Sequence, residues 1–111
     1  MIVMKFGGSS VANAERIKHV ASIIQAYRQS RPAVVLSAMG DTTDHLLAAA
    51  DDAVNGKVDV ERVAKLHRET IAELGLDGTS TEELLAELNQ LLTGISMLKE
   101  NDLWTPVTYK K

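Results

Sequence analysis

Residues 1–11 read MIVMKFGGSSV, and this stretch decides the fold class of the chain. Met1 to Phe6 form a short apolar run rich in β-forming residues, which predicts a buried strand. Two glycines and two hydroxyl residues follow the run: Gly7, Gly8, Ser9 and Ser10. Spacing alone leaves two interpretations open, a plain turn between a strand and a helix or a loop that holds a phosphate.

The rest of the chain predicts one further strand and four helices. Ala33 to Ala38 (AVVLSA) lacks alternation, which predicts a strand covered on both faces. Apolar residues at helical spacing place the helices at about 14–29, 43–54, 60–74 and 80–99. We expect Asn13 to cap the first of these helices and a capping box at Ser80–Glu83 to start the fourth.

This order of elements predicts the α/β class. A strand, a helix and a second strand form a β-α-β unit, and such units build parallel sheets with right-handed crossovers. Two strands are too few to bury four amphipathic helices. We therefore expect a partial Rossmann-like sandwich, in which a β-α-β unit is followed by a run of helices and the parallel sheet is incomplete.

Composition excludes several classes of protein. The 111-residue chain has a net charge of −3 and no cysteine, which argues against a nucleic-acid-binding domain, a disulfide framework or a thiolate metal site. No apolar stretch approaches the roughly 20 residues that span a bilayer. The apolar start ends at Lys5, unlike a signal peptide. These features predict a cytoplasmic protein with no nucleic-acid or membrane partner.

Both predicted strands lead into loops that could hold an anion. Loops at the carboxyl ends of neighbouring parallel strands open on the same edge of a sheet. Gly7 and Gly8 would let backbone N–H groups approach phosphate oxygens, and Lys5 would supply a mobile cation. The second loop, SAMGDTTD, offers the hydroxyl groups of Ser37 and Thr43. A helix-capping role for Thr43 stays open beside ligand binding.

Together the two loops resemble the beginning of an aspartokinase (aspartate kinase) of the amino-acid kinase superfamily. The similar stretches are KFGGSSV, VVLSAMGDTTDHLL and LLAELNQLLTGISMLKE. The resemblance implies phosphoryl transfer from ATP with Mg²⁺ to the β-carboxylate of L-aspartate. The product would be 4-phospho-L-aspartate, at the start of lysine, threonine and methionine biosynthesis.

The resemblance also implies roles for individual residues. Lys5 matches the catalytic lysine that stabilises charge on the transferring phosphoryl group. The residues implied in ATP phosphate binding are Lys5, Gly7, Gly8, Ser9 and Ser10. Ser37 and Thr43 match hydroxyl residues that hold aspartate or approach the phosphates. No metal-ligating residue is implied. Phosphoryl transfer depends on positioning and charge neutralisation, which such groups can supply.

Several parts of the family pattern do not occur in this sequence. They are an SFGE-type stretch with a substrate-binding glutamate, a catalytic aspartate, the nucleotide-base pocket and regulatory ACT domains. From Asn101 to Lys111 (NDLWTPVTYKK) the chain departs from the family pattern. We therefore expect residues 1–111 to be the N-terminal part of an amino-acid-kinase catalytic domain, inactive alone and homo-oligomeric.

Two alternatives stay open. One is another kinase of the same superfamily, acting on glutamate, acetylglutamate or uridylate. The other is a non-catalytic module whose helices mediate association and whose glycine loop only turns the chain.

Overall fold

The computed structural model describes residues 1–100, and the stretch NDLWTPVTYKK at 101–111 lies outside the described residues. The elements are β1 (Val3–Phe6), α1 (Ala14–Ala26), β2 (Ala33–Leu36), α2 (Thr42–Val54), α3 (Glu61–Leu74) and α4 (Thr79–Glu100). The predicted order of a β-α-β unit and then a run of helices is confirmed. No helix within residues 1–100 is long and apolar enough to cross a membrane.

β1 and β2 pair in parallel, with Phe6 opposite Leu36. Backbone hydrogen bonds continue past both ends of this register. The N–H of Ala33 donates to the carbonyl of Ile2 at 2.9 Å, and the N–H of Ser37 donates to the carbonyl of Phe6 at 3.0 Å. The two strands therefore end side by side, and the loops that follow them leave from the same edge.

The prediction that both strands are buried is wrong for the described part of the chain. Every residue of β2 is exposed, and in β1 only Met4 and Phe6 are half-buried. Parallel sheets gain two-sided burial from the helices and strands that surround them. Residues 1–100 form a sheet of two strands, which is too small to cover its own faces.

α1 begins where the sequence predicts. The side chain of Asn13 accepts a hydrogen bond from the backbone N–H of Arg16 at 3.0 Å, which satisfies one of the free donors of the first turn. The helix ends at Ala26, earlier than predicted, and a 3-10 turn follows at Arg28–Ser30. Arg31 then has a left-handed φ of 48°. A proline follows it, and the residue before a proline disfavours the right-handed helical region.

The predicted capping box at Ser80–Glu83 is not formed. α4 begins at Thr79, whose backbone N–H and hydroxyl both donate to Asp77 Oδ1, at 3.1 and 2.7 Å. Because Asp77 supplies the accepting carboxylate earlier in the chain, Ser80 lies inside the helix. Glu82, in the first turn of α4, accepts two hydrogen bonds of 2.8 Å from Arg68 of α3, and this pairing lowers the pKa of the Glu82 carboxyl.

Two clusters of buried apolar residues lie among the last three helices, with Ala49, Ala53 and Leu92 in one and Val63, Ala64 and Leu85 in the other. Val11, Ala14 and Val20 are also buried, at and just before α1. The buried Ser96 hydroxyl of α4 donates to the carbonyl of Gly56 at 3.2 Å, which ties α4 to the turn between α2 and α3. The sheet lies outside this helical core.

Candidate active site

The two loops predicted to bind a ligand are joined directly. The backbone N–H of Gly40, in the loop after β2, donates to the carbonyl of Gly8, in the loop after β1, at 3.2 Å. The parallel register of β1 and β2 brings the loops to one edge of the sheet. This confirms the sequence-based expectation that the two loops share that edge.

Gly8 lies where the loops approach each other most closely. A Cβ atom on Gly8 would lie 3.2 Å from the carbonyl oxygen of Ala38 and 3.4 Å from that of Gly40. It would also lie 3.8 Å from Ser37 Oγ. A Cβ at this position would crowd the backbone of the second loop, which would have to shift by a few tenths of an ångström, so the close approach at Gly8 favours glycine on steric grounds.

The first loop has a backbone shape suited to an anion. The N–H of Ser10 donates to the carbonyl of Gly7 at 3.0 Å, and the N–H of Val11 donates to that of Gly8 at 3.3 Å. Within residues 1–100, the N–H groups of Gly7, Gly8 and Ser9 donate to no protein acceptor. Successive free N–H groups in a turn are the donors from which anion-binding concavities are built.

Space around Gly7 is open, in contrast to Gly8. A Cβ on Gly7 would meet no atom within 4 Å. Ser9 is exposed and Ser10 is half-buried, so the hydroxyl of Ser9 is the more accessible of the two. The buried side chain of Val11 anchors the end of the loop. A ligand could therefore approach this loop from the side of Gly7 and Ser9.

Lys5 supplies a cation on the strand that leads into this loop. It lies opposite Val35 in the parallel register and is exposed. Within residues 1–100 its ammonium group takes part in no ion pair. The charge of Lys5 is thus available to a ligand.

The second loop is held by its own hydrogen bonds. The hydroxyl and the backbone N–H of Thr42 both donate to the carbonyl of Met39, at 2.5 and 3.1 Å. Gly40 has a positive φ of 53°, and a Cβ there would lie 3.2 Å from the carbonyl oxygen of Ala12. Gly40 therefore meets both a conformational and a steric requirement.

The structure places the two predicted hydroxyl residues differently. Ser37 is exposed at the end of β2, next to Gly8 and on the edge where the loops meet. Thr43 is exposed within the first turn of α2, while Asp41 occupies the capping position. The alternative capping role for Thr43 is therefore wrong, which leaves its hydroxyl available to a ligand.

His45 borders this site, although the sequence assigned it no role. A cleft beside the loops is lined by Ser9, Ala12, Gly40, Asp41, His45 and Leu66. His45 Nδ1 is buried and has no hydrogen-bond partner within residues 1–100. The sequence signal was the position of His45 directly after SAMGDTTD.

Residues 1–100 contain no group of three or more His, Cys, Asp or Glu side chains placed to hold a metal ion.

Two glycine-containing loops lie on one edge of a parallel sheet with an exposed lysine nearby, and together they form the candidate site of this α/β protein. The sequence profile of the amino acid kinase family matches residues 1–100. The chain belongs to the amino acid kinase family.

Several curated relatives of this chain are aspartokinases. Aspartokinase 2, chloroplastic, of Arabidopsis thaliana is 50% identical over 110 residues, which is 93% of this chain and 20% of the relative. Aspartokinase 1, chloroplastic, of the same plant is 46% identical over 93% of this chain and 19% of the relative. An aspartokinase of Mycobacterium tuberculosis is 56% identical over 52 residues, 45% of this chain and 12% of the relative. The chain thus spans about one fifth of the length of the plant relatives.

Proposed function

We propose that this chain is the N-terminal part of an aspartate kinase catalytic domain. The reaction is transfer of the γ-phosphoryl group of ATP to the β-carboxylate of L-aspartate, which forms 4-phospho-L-aspartate for lysine, threonine and methionine biosynthesis. The observation that carries the proposal is the row of free N–H groups at Gly7, Gly8 and Ser9 beside the exposed ammonium of Lys5. The aspartokinase names of the relatives support the choice of substrate.

In this proposal the two loops have different roles. The N–H groups of the first loop hold nucleotide phosphate oxygens, with Ser10 beside them, and Lys5 neutralises charge on the phosphoryl group in transit. Ser37 and Thr43 donate hydroxyl hydrogen bonds to aspartate or to the phosphates. The hydrogen bond from the N–H of Gly40 to the carbonyl of Gly8 joins the two loops, and in this proposal it holds the donor and acceptor subsites together. Such positioning is the main source of rate enhancement in phosphoryl transfer.

The described residues fit a nucleotide phosphate better than a metal ion. They provide N–H donors and a cation, and no cluster of metal-ligating side chains. Mg²⁺ commonly binds through substrate phosphates with few protein ligands, and when bound it would neutralise phosphate charge. We therefore propose that Mg²⁺ reaches this site together with ATP.

A chimera tests the proposal. Residues 1–100 of this chain would replace the matched segment of Arabidopsis thaliana Aspartokinase 2, and aspartyl phosphate would be trapped as the hydroxamate. We expect the chimera to turn over, and Lys5→Ala to lower kcat by about 100-fold or more, since loss of one transition-state donor costs about that much.

Lys18→Ala is the matched control, because Lys18 is an exposed lysine of α1. It should leave kcat unchanged. Turnover that survives Lys5→Ala undiminished would contradict the catalytic role of Lys5. Turnover with glutamate but none with aspartate would contradict the proposed substrate.

The 111-residue chain alone should bind ATP weakly and show no turnover, because it spans about one fifth of the relatives. Hydroxamate formed by the pure chain would contradict this expectation.

We further propose that the protein is a homo-oligomer in the cytoplasm. Light scattering of the chimera and fractionation of the source cells test these two points.

A further inference from the structure

Two polar side chains at the start of α2 border one cleft and have no side-chain partner within residues 1–100. Asp41 is the N-cap residue of α2, but its side chain makes no capping hydrogen bond and no ion pair there. His45 follows one turn later, and its backbone N–H donates to the carbonyl of Asp41 at 2.9 Å. Residues four apart lie on the same face of a helix. Both side chains line the cleft beside the first loop, together with Ser9, Ala12, Gly40 and Leu66.

The ring of His45 can present one hydrogen-bonding nitrogen to this cleft. Nδ1 is buried and has no hydrogen-bond partner within residues 1–100, whereas Nε2 stays accessible on this half-buried side chain. An N–H donor buried without an acceptor is rarer and costlier than an N–H in contact with water, so we assign the proton of the neutral ring to Nε2. His45 therefore offers the cleft a donor, and Asp41 offers it a carboxylate acceptor.

Cations lie beyond His45. A second cleft also includes His45, and its charged walls are Arg62, Lys65 and Glu69 of α3. Arg62 and Lys65 are exposed, and neither takes part in an ion pair within residues 1–100. Because the two cations outnumber Glu69, this cleft favours a negative group. The carboxylate of Asp41 favours a positive group in the cleft beside the first loop.

The cleft beside the first loop has room for a small ligand. It encloses about 340 Å³, at the lower end of the range for small-molecule sites. A third space next to His45, lined in part by Asp52 and Asp59, holds only about 10 Å³, which is the room of about one water molecule. The space for a ligand thus lies between His45 and the first loop.

We propose that Asp41 and His45 bind the head group of the acceptor amino acid. An α-amino acid carries an ammonium and a carboxylate on one carbon. The ammonium donates to the carboxylate of Asp41, and the α-carboxylate accepts from Nε2–H of His45. The β-carboxylate of aspartate then extends toward Ser9 of the same cleft, where the first loop holds the phosphates. The inference rests on the proposed function and adds to it the residues that select an α-amino acid.

Titration calorimetry of the chimera without ATP tests the subsite with three ligands. They are L-aspartate, succinate, which lacks the ammonium, and β-alanine, which lacks the α-carboxylate. Asp41→Asn should weaken L-aspartate and β-alanine about tenfold or more, the loss expected for one charge-assisted hydrogen bond, and should not weaken succinate. His45→Leu should weaken L-aspartate and succinate by a similar factor and should not weaken β-alanine. A structural role alone would affect all three ligands alike.

Three further variants are controls. His45→Gln keeps an N–H donor near the position of Nε2, so it should restore most of the binding that His45→Leu loses. Asp51→Asn makes the same charge change at an exposed position of α2, and His19→Leu makes the same replacement at an exposed position of α1. Neither should change binding. Equal weakening of all three ligands by Asp41→Asn or His45→Leu, or an equal effect of Asp51→Asn, would overturn the proposal.

The same variants separate this proposal from the proposed function. If the ligands sort as expected but the chimera forms no aspartyl phosphate, the subsite stands and the proposed function fails. If the chimera turns over but the ligands do not sort, the subsite fails and the proposed function stands. If Asp41→Asn weakens equilibrium binding yet leaves the KM for L-aspartate unchanged, the cleft holds a separate amino acid instead of the acceptor, and the proposal is wrong.

Discussion

Gly8 faces the carbonyl oxygen of Ala38 so closely that an added Cβ would lie 3.2 Å from that oxygen. The contact joins the ends of two parallel strands, so a change at Gly8 affects both loops of the candidate site. The nearest comparison in the chain is Gly7, where an added Cβ meets nothing within 4 Å.

Gly8→Ala should therefore destabilise the chain and separate the loops. Overpacking of this kind costs about 1–3 kcal/mol. We expect lower thermal stability by circular dichroism and, in the chimera, a higher KM for ATP. Gly7→Ala is the control for stability, and equal losses of stability in the two variants would contradict the steric role of Gly8.

Leu92→Ala should show that α2 and α4 share a core. Leu92 is 3% exposed and packs with Ala49 and Ala53, so its truncation should cost about 2–5 kcal/mol in urea unfolding. Leu91→Ala is the matched control, because the neighbouring Leu91 is 67% exposed. It should change stability by less than about 0.5 kcal/mol. Similar losses in both variants would contradict this packing of α4.

Asn13→Ala should weaken the start of α1. The substitution removes the acceptor for the Arg16 N–H and should cost about 1 kcal/mol in urea unfolding. Asn89→Ala, at an exposed position of α4, is the control and should be neutral or slightly stabilising because alanine favours helix. An unchanged stability of Asn13→Ala would show that the cap does not contribute.

Asp77, which lies just before α4, should make the free energy of unfolding depend on pH. Hydrogen bonds from the hydroxyl and then the N–H of Thr79 lower the pKa of Asp77 from its ordinary 3.8. A carboxyl with a lowered folded pKa stabilises the fold above the unfolded pKa, and this contribution is lost as the pH falls through the folded value.

Asp77→Asn should therefore be less stable than the unchanged chain at pH 7, and the difference should shrink below pH about 4. Thermal unfolding between pH 2 and pH 7 measures it. Thr79→Val, which removes the hydroxyl donor, should reduce the same pH dependence in part. A difference that stays constant across this range would contradict the hydrogen-bonded cap.

Local sequence signals predicted much of the fold. Asn13 caps α1 as predicted, and Gly75 ends α3 with a φ of 67°, a value that glycine adopts without steric cost. The capping box predicted at Ser80–Glu83 did not form because α4 begins before Ser80, at Thr79, whose N–H and hydroxyl donate to Asp77. Within the first turn of α4, Glu82 pairs with Arg68, which lies 14 residues earlier in the chain. A partner so distant in sequence leaves no local signal.

The candidate site was predictable in part. The sequence indicated both loops, since glycine and hydroxyl residues follow two apolar runs. It did not distinguish Gly7 from Gly8, because only the packing of Gly8 against Ala38 separates their roles. The place of His45 in the cleft also depends on how α2 packs beside α3 and the first loop.

By itself the sequence determined the class of the fold, the order of its elements and the residues that supply charge and hydroxyl groups. These follow from hydrophobic periodicity and backbone preference, which act over a few residues. Only the tertiary structure decided which elements share a core, how closely Gly40 approaches Gly8 and which strand edge stays free. Those features depend on contacts between segments far apart in the chain, and apolar composition alone could not show that β2 lies exposed.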